Sequence, residues 1–486
     1  MRLLPAALVV AATGCAQVLG LDETTGTAEP MDVSLSMQRW SIGAAVQKNP
    51  LDLTGQMASF LVDDGAGGFS TVPGEQVDTN TFSAPIADGT PAVLFTLPDM
   101  PTPFRRLWAQ PARERHGVFA VFEHPGALEP LPNSSLTLTA TLPSAYVATE
   151  AFRIEAIGAW MASGVTPAQL ADGTATTITA TVPYASFGRM TGSPAARITS
   201  QDVVVVERYT GNQLTGVYQV PAFDQTDGAD PITATVVAVP ADKALNAAID
   251  PTTLAQRFSA VRPAVSGLSM PWRISAAPGW TLGSTTGARL NAGSAATTDT
   301  AIAAMFGNPF ESLDWRSMLQ FTAQATRSYA FQGIAMTLTS SMLTVQEPSD
   351  TLTLDMPAGM PINIRVNEVP LSTDGMTVPL DLTKGVVIDA ITDKPDNTVY
   401  FATVYEVALG ADMTTVERTV AVDALTTVEP KLTLPPELFQ VDHFYYVDFR
   451  CMQGGYLGGA AGDLETVTLP FSVSRADSAV FQVVAP

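Results

Sequence analysis

Cysteine is almost missing: Cys15 and Cys451 are the only two in 486 residues. A disulfide scaffold is thereby excluded, and the fold must be held by the apolar core that a chain of this length can bury. Histidine is nearly as scarce, at His116, His124 and His443. There is no Gly-x-Ser-x-Gly elbow, no His-Glu-x-x-His, no Gly-Lys-Ser/Thr loop and no Cys-x-x-Cys pair. Their absence removes the hydrolases, NTPases and zinc peptidases that carry those motifs. Charge is thin as well: Asp, Glu, Lys and Arg make up 15%, against about 25% in an average soluble chain. Only five of the 25 bases are lysines, and 47 acids leave a net charge of −22. Such a surface field repels nucleic acid and anionic headgroups, so no nucleic-acid partner is expected. The acids are scattered and form no acidic tail.

What fills the chain instead is Thr, Ser, Ala and Gly beside a 46% hydrophobic share, a composition typical of extracellular β-proteins. Its first residues fit export. Arg2 is followed by an apolar run from Leu3 to Ala12, interrupted by Pro5 and too short to span a bilayer. The run ends on Thr13-Gly14-Cys15. This stretch resembles the lipobox of Gram-negative bacterial lipoproteins, although Ala12 stands where Leu is commoner. The resemblance implies that residues 1–14 are a signal peptide and that the Cys15 thiol carries a diacylglycerol. Ala16, in the position where Asp would retain a lipoprotein at the inner membrane, implies sorting to the outer membrane. Acyl chains, at about 0.8 kcal/mol per buried methylene, would then tether the protein to the membrane. Cys451 would have no thiol partner and reads as a small buried hydrophobe.

Residues 15–32 show no periodicity and read as a tether. From Val33 onward short alternating segments are separated by turn signals such as Asp63-Asp64-Gly65 and Asp88-Gly89. Leu136, Leu138, Ala140 and Leu142 share one face with threonines on the other, the pattern of a half-buried strand. The phrase recurs at Ile178–Val182 and Ile232–Val236, with a cousin at Met336–Thr339. Its uneven spacing excludes a solenoid or propeller. The predicted fold is mainly β, a set of antiparallel β-sandwiches with a few short helices: a sandwich region over 33–182, a mixed middle domain over 183–346 and a sandwich over 347–486. Two helices are expected in the middle region. One starts at Asp250-Pro251, with Leu254, Phe258 and Val261 on a face and Pro263 as its stop. The other runs from Thr298 or Asp299 to Phe306, with Gly307 as its stop. Trp272, Trp280 and Trp315 read as core.

At the C-terminus Ile362, Ile364 and Val366 alternate with polar residues, and Val399, Phe401, Tyr405 and Val407 share a face. Leu434-Pro435-Pro436-Glu437-Leu438 then precedes Phe444 to Cys451. The pairing resembles the turn and penultimate strand of fibronectin type III-like domains, although the usual early tryptophan is missing and Ig-like topology fits the same segment. It implies that the Tyr445 hydroxyl closes a corner and that Val447, Phe449 and Cys451 point inward. The loop after that strand, Gln453 to Asp463, holds five glycines and lies where sandwich folds often bind. Tyr456 would be its exposed anchor, with Gly454, Gly455 and Gly458 giving mobility.

The remaining chemistry is sparse. His116 and His124 are roughly 26 Å apart if one strand joins them at about 3.3 Å per residue, too far to share a metal. His443 beside Asp442 lacks a visible third group for a catalytic dyad to become a triad. Asp224, Asp227 and Asp230, with Gly228, have spacings a calcium loop could use, although the other acids of an EF-hand are missing and a solvated turn accounts for the same residues. Asp63-Asp64 and the stretch from Asp393 to Asn397 offer less. Arg105, Arg106, Arg113 and Arg115 cluster around Trp108 and are expected to pair with carboxylates. No cofactor other than calcium is suggested. The expected function is that of a lipid-anchored cell-envelope protein with a structural or binding role, meeting envelope proteins or glycans, without catalysis. The rival is a carbohydrate-active enzyme or glycan-binding protein on the same modules, which would need two convergent carboxylates in a cleft.

Overall fold

A computed structural model describes residues 31–486 apart from 43–45, 64–67, 87–91, 98–103, 110–111, 122–134, 148, 158–160, 166–175, 184–197, 201, 212, 225–231 and 279–287. Among the described residues one α-helix accompanies strands gathered in several mixed and antiparallel sheets, so the chain is mainly β.

The recurring threonine-rich phrase has a tertiary explanation. Ser135–Thr141 lies between Thr177–Pro183, antiparallel to it, and Ile232–Thr235, parallel to it. Three copies of one alternating pattern thus become neighbours, placing Ala140 opposite both Ile178 and Ala234. On the outer face Thr139 and Thr179 share a hydroxyl hydrogen bond of 3.1 Å, a cross-strand pairing that favours this register. The apolar face closes over Phe152, Ile154, Val204, Val206 and Tyr218 of a five-stranded sheet. This core draws residues from both sides of position 182.

The largest sheet has fourteen strands, taken from residues 58–109, 266–346 and 376–484. Its longest hairpin joins Trp315–Phe331 to Ile334–Gln346. The two turn residues between them, Gln332 and Gly333, both have positive φ, +48° and +90°, as a tight hairpin turn matched to strand twist requires. Ile334–Gln346 pairs with Thr468–Asp477, which pairs with Phe444–Gly455. Beyond it come Val399–Leu409, Val416–Thr426 and, in parallel, Phe104–Ala109. The central strands are buried on both faces. Tyr445, Val447, Phe449 and Cys451 enter the largest core, and Met452 looks the other way. That second face is covered by a sheet built on Met31–Ile42, through Val33, Leu35 and Met37. A Cβ at Gly117 of its Glu114–Val121 strand would lie 1.9 Å from the Trp108 ring, so the bare glycine is what admits the tryptophan.

The helix Pro251–Ser259 forms where expected: Asp250 accepts the Thr253 N–H at 3.0 Å, Pro251 opens the first turn and Leu254 and Phe258 are buried. The second expected helix is a correction. Ala301–Phe306 is a strand, antiparallel to Lys243–Ala248. Ile302 and Phe306 are buried, and a spacing of four satisfies both the helical and the strand period; an available partner strand decided between them. Asp299 instead closes a turn by accepting the Ala296 N–H at 2.7 Å. Gly307 is no helix stop, since its Cα passes so near the Pro240 carbonyl that a Cβ would stand 1.6 Å from the oxygen. No helix among the described residues is long and apolar enough to cross a membrane.

Candidate functional site

The glycine-rich loop of residues 453–463 leaves the Phe444–Gly455 strand through two residues of positive φ, Gly454 at +76° and Gly455 at +70°. A Cβ on Gly454 would meet the Pro470 carbonyl oxygen at 2.5 Å, and one on Gly458 would meet Asp463 Cβ at 2.9 Å. The loop is docked along its second half. Asp463–Leu464 joins the Glu114–Val121 strand in parallel, and the His116 N–H donates to the Gly462 carbonyl at 2.8 Å. Glycine here serves close backbone approach, where mobility was expected. Tyr456, expected to be an exposed anchor, is half-buried against the core below it, and burial pushes its hydroxyl pKa up. The exposed apolar side chain at the loop is Leu457.

Docking creates a row, in register across three strands, of Ser36, His116 and Asp463. Ser36 Oγ lies 2.6 Å from His116 Nδ1. A working triad needs the serine on one ring nitrogen and a carboxylate holding the other. Asp463 Oδ1 instead accepts the Glu465 and Thr466 N–H groups at 2.8 and 3.0 Å. Burial acts to raise its pKa, and those N–H groups bring it below the usual range. The acid is thus a turn cap. For His443 the partner is Glu406, whose Oε1 lies 2.7 Å from Nδ1; sequence gave no sign of it because the two are brought together by strand pairing.

The densest ionic cluster crosses the large sheet as a ladder. Asp477, Asp448, Thr403, Asp423 and Arg106 are successive register partners on five strands. Arg106 Nη2 meets Asp423 at 2.6 Å and Thr403 Oγ1 donates to the same carboxylate at 2.8 Å. Arg450 Nη2 meets Asp448 at 2.6 Å, and Arg475 Nη2 reaches Asp448 at 3.4 Å and Asp477 at 3.2 Å. Burial, then the charge of Asp448, hold the Asp477 pKa above the usual carboxylate range, against the pull of Arg475 and the Thr339 N–H. Two carboxylates of unlike setting do converge here, but both are buried among guanidinium groups inside a sheet. The arginines flanking Trp108 divide similarly: Arg113 donates to the Ile86 carbonyl at 3.1 Å, and burial followed by Arg113 lowers the Arg115 pKa to about 10.

Asp224 accepts the Ser200 N–H at 2.7 Å, which lowers its pKa. Asp227 and Asp230 lie outside the described residues, as do Cys15, His124 and Trp280. Asp393 is engaged by Arg257 at 2.6 Å and by the Met360 N–H at 2.6 Å. Among the described residues, two of the surface cavities bear on the argument. One, of about 550 Å³, adjoins the docked loop and is lined by Arg316, Gln346, Glu347, Val467 and Leu469. The other, of about 390 Å³, is lined by Asn367, Asp381, Lys384, Val387, Lys431 and Thr433. Neither includes the buried carboxylate pair. The second went unnoticed in the sequence, where the only available signal was three of five lysines, Lys384, Lys394 and Lys431, within one C-terminal stretch.

No protein-family model matches the sequence, and no curated protein matches it. Among solved structures, alpha-2-macroglobulin from Escherichia coli, activated by porcine elastase, aligns over 94% of this chain and 44% of its own, at 11% identity and a TM-score of 0.15. The trypsin-activated form aligns over 94% and 30%, at 11% identity and a TM-score of 0.12. A tetra-tandem repeat from the extending region of a large adhesion protein aligns over 92% and 99%, at 10% identity and a TM-score of 0.10. The chain therefore spans less than half of the macroglobulin chains. Likeness at this level leaves function to be argued from the chain's own residues.

Proposed function

We propose that this protein is a lipid-anchored component of the bacterial outer membrane that acts by binding or bracing and carries out no reaction. The observation carrying this reading is the sequence from Arg2 to Cys15, an apolar run that closes on a cysteine and reads as an export signal, ahead of the first described strand, Met31–Ile42. The ionic ladder supplies no accessible acid-base pair among the described residues. An acid-base pair working on a substrate must reach it, and Asp448 is fully buried between Arg450 and Arg475. The Ser36–His116–Asp463 row is not a triad, because its carboxylate serves a turn.

Metabolic labelling with a fatty acid tests the anchor. The wild-type protein should carry label and fractionate with outer membranes, and Cys15→Ser should lose both. Equal labelling of the two proteins would sink the assignment.

A further inference from the structure

We infer that the cavity of about 390 Å³ on the outer face of the Val386–Thr392 and Lys431–Leu434 strands, lined also by Asn367 and Gly68, binds an oxyanion group, carboxylate or phosphate, borne on a saccharide. This goes beyond the proposed anchoring, and it stands whether or not Cys15 is acylated. The strands set the site by alternation. Val366, Val386, Ile388, Leu432 and Leu434 point into the core, which leaves Val387, Lys431 and Thr433 on the outer face. Val387 and Thr433 are register partners, and Asn367 joins them by donating its N–H to the Val387 carbonyl at 2.8 Å.

Three features make the cavity selective for an anion. First, two of the chain's five lysines line it against one carboxylate among the described lining residues, Asp381, which pairs with Lys384 and leaves Lys431 as the unneutralised charge. Asp381 accepts the Thr383 N–H at 3.1 Å and meets Lys384 at 3.2 Å. Lys431 has no carboxylate partner among the described residues, and the nearest acid in register, Asp389, is held by Arg365 through two bonds of 2.7 and 2.8 Å. Second, Asn367 is oriented. It sits in the left-handed region at φ +46°, followed by Glu368 at +67°, in a two-residue hairpin turn between Val366 and Val369. Its Oδ1 accepts the Val387 N–H at 2.8 Å, so its Nδ2 donors are available to the cavity it lines. Third, the Thr433 hydroxyl can both donate and accept, which suits a sugar hydroxyl beside the charged group. Ammonium groups bind such an oxyanion as point charges, and the volume is that of a small-molecule site. On a chain of net charge −22, Lys384 and Lys431 against Asp381 leave the described lining one excess positive charge.

Calorimetric titration of the full-length protein in detergent at low salt tests the site with glucuronate, glucose 6-phosphate, inorganic phosphate and neutral glucose. One or both sugar anions should bind, glucose should not, and Lys384→Gln with Lys431→Gln should weaken binding about tenfold or more. Asn367→Asp, which keeps the Oδ1 contact and the turn, should weaken it as well. Lys243→Gln removes the same charge elsewhere and should leave it unchanged. Undiminished binding by the double lysine variant, or no binding of either sugar anion, would overturn the site. Inorganic phosphate binding as tightly as the sugar phosphate would overturn the saccharide.

Discussion

The Tyr445 hydroxyl accepts the Gln440 N–H at 3.0 Å, with its ring packed against Phe439 and Phe481. Tyr445→Phe leaves that N–H without its acceptor and should cost about 1 kcal/mol, read as a lower urea midpoint. Burial, opposed by the Gln440 N–H and reinforced by Glu406, pushes the phenol up to about 12. The neutral form is therefore the one the fold favours. Its contribution is complete below the unfolded value of about 10 and is lost as pH rises from there towards 12. An ultraviolet titration should show one tyrosine fewer ionising near pH 12 in the Phe variant. This residue was legible in the sequence, because a Leu-Pro-Pro turn and an alternating strand are local features. Tyr456 was legible only as a residue of interest: its exposure depended on where the loop docked, and nothing in five glycines tells close packing from mobility.

Elements were read well where a period repeats and poorly where it is short. The Ser135–Thr141 strand was evident from four alternating apolar positions, yet its two copies as neighbours were not, since equal patterns do not state which strands pair. Ala301–Phe306 had two apolar anchors four apart, too few to separate the periods, and the strand Lys243–Ala248 settled the matter. Between sheets, the contact of Gly117 with Trp108 is equally invisible in sequence. Gly117→Ala puts a methyl group where the indole lies; overpacking of this kind should cost about 1–3 kcal/mol. A lowered melting temperature with altered tryptophan fluorescence is the expected result, and an unchanged melting curve would mean that the two sheets are not pressed together at this point.

At the scale of the molecule, the ionic ladder joins one strand from the beginning of the chain to four from its end. Asp448 is its hub, accepting from Arg450 and approached by Arg475. Asp448→Asn leaves two guanidinium groups short of a buried counter-charge, a loss of about 3 kcal/mol. Asp477→Asn also relieves a like-charge neighbour and should cost less than half as much; denaturant unfolding of both variants would expose the reverse order if Asp477 were the hub. The order of residues alone established a mainly β chain with only two cysteines, because thiol counts and alternation are local properties. The tertiary structure decided which strands are neighbours, which glycines are crowded and which charges meet. Arg106 and Asp423 lie 317 residues apart, and only sheet assembly places them in one bond, since pairing free energy depends on distance in space and leaves no trace in sequence spacing.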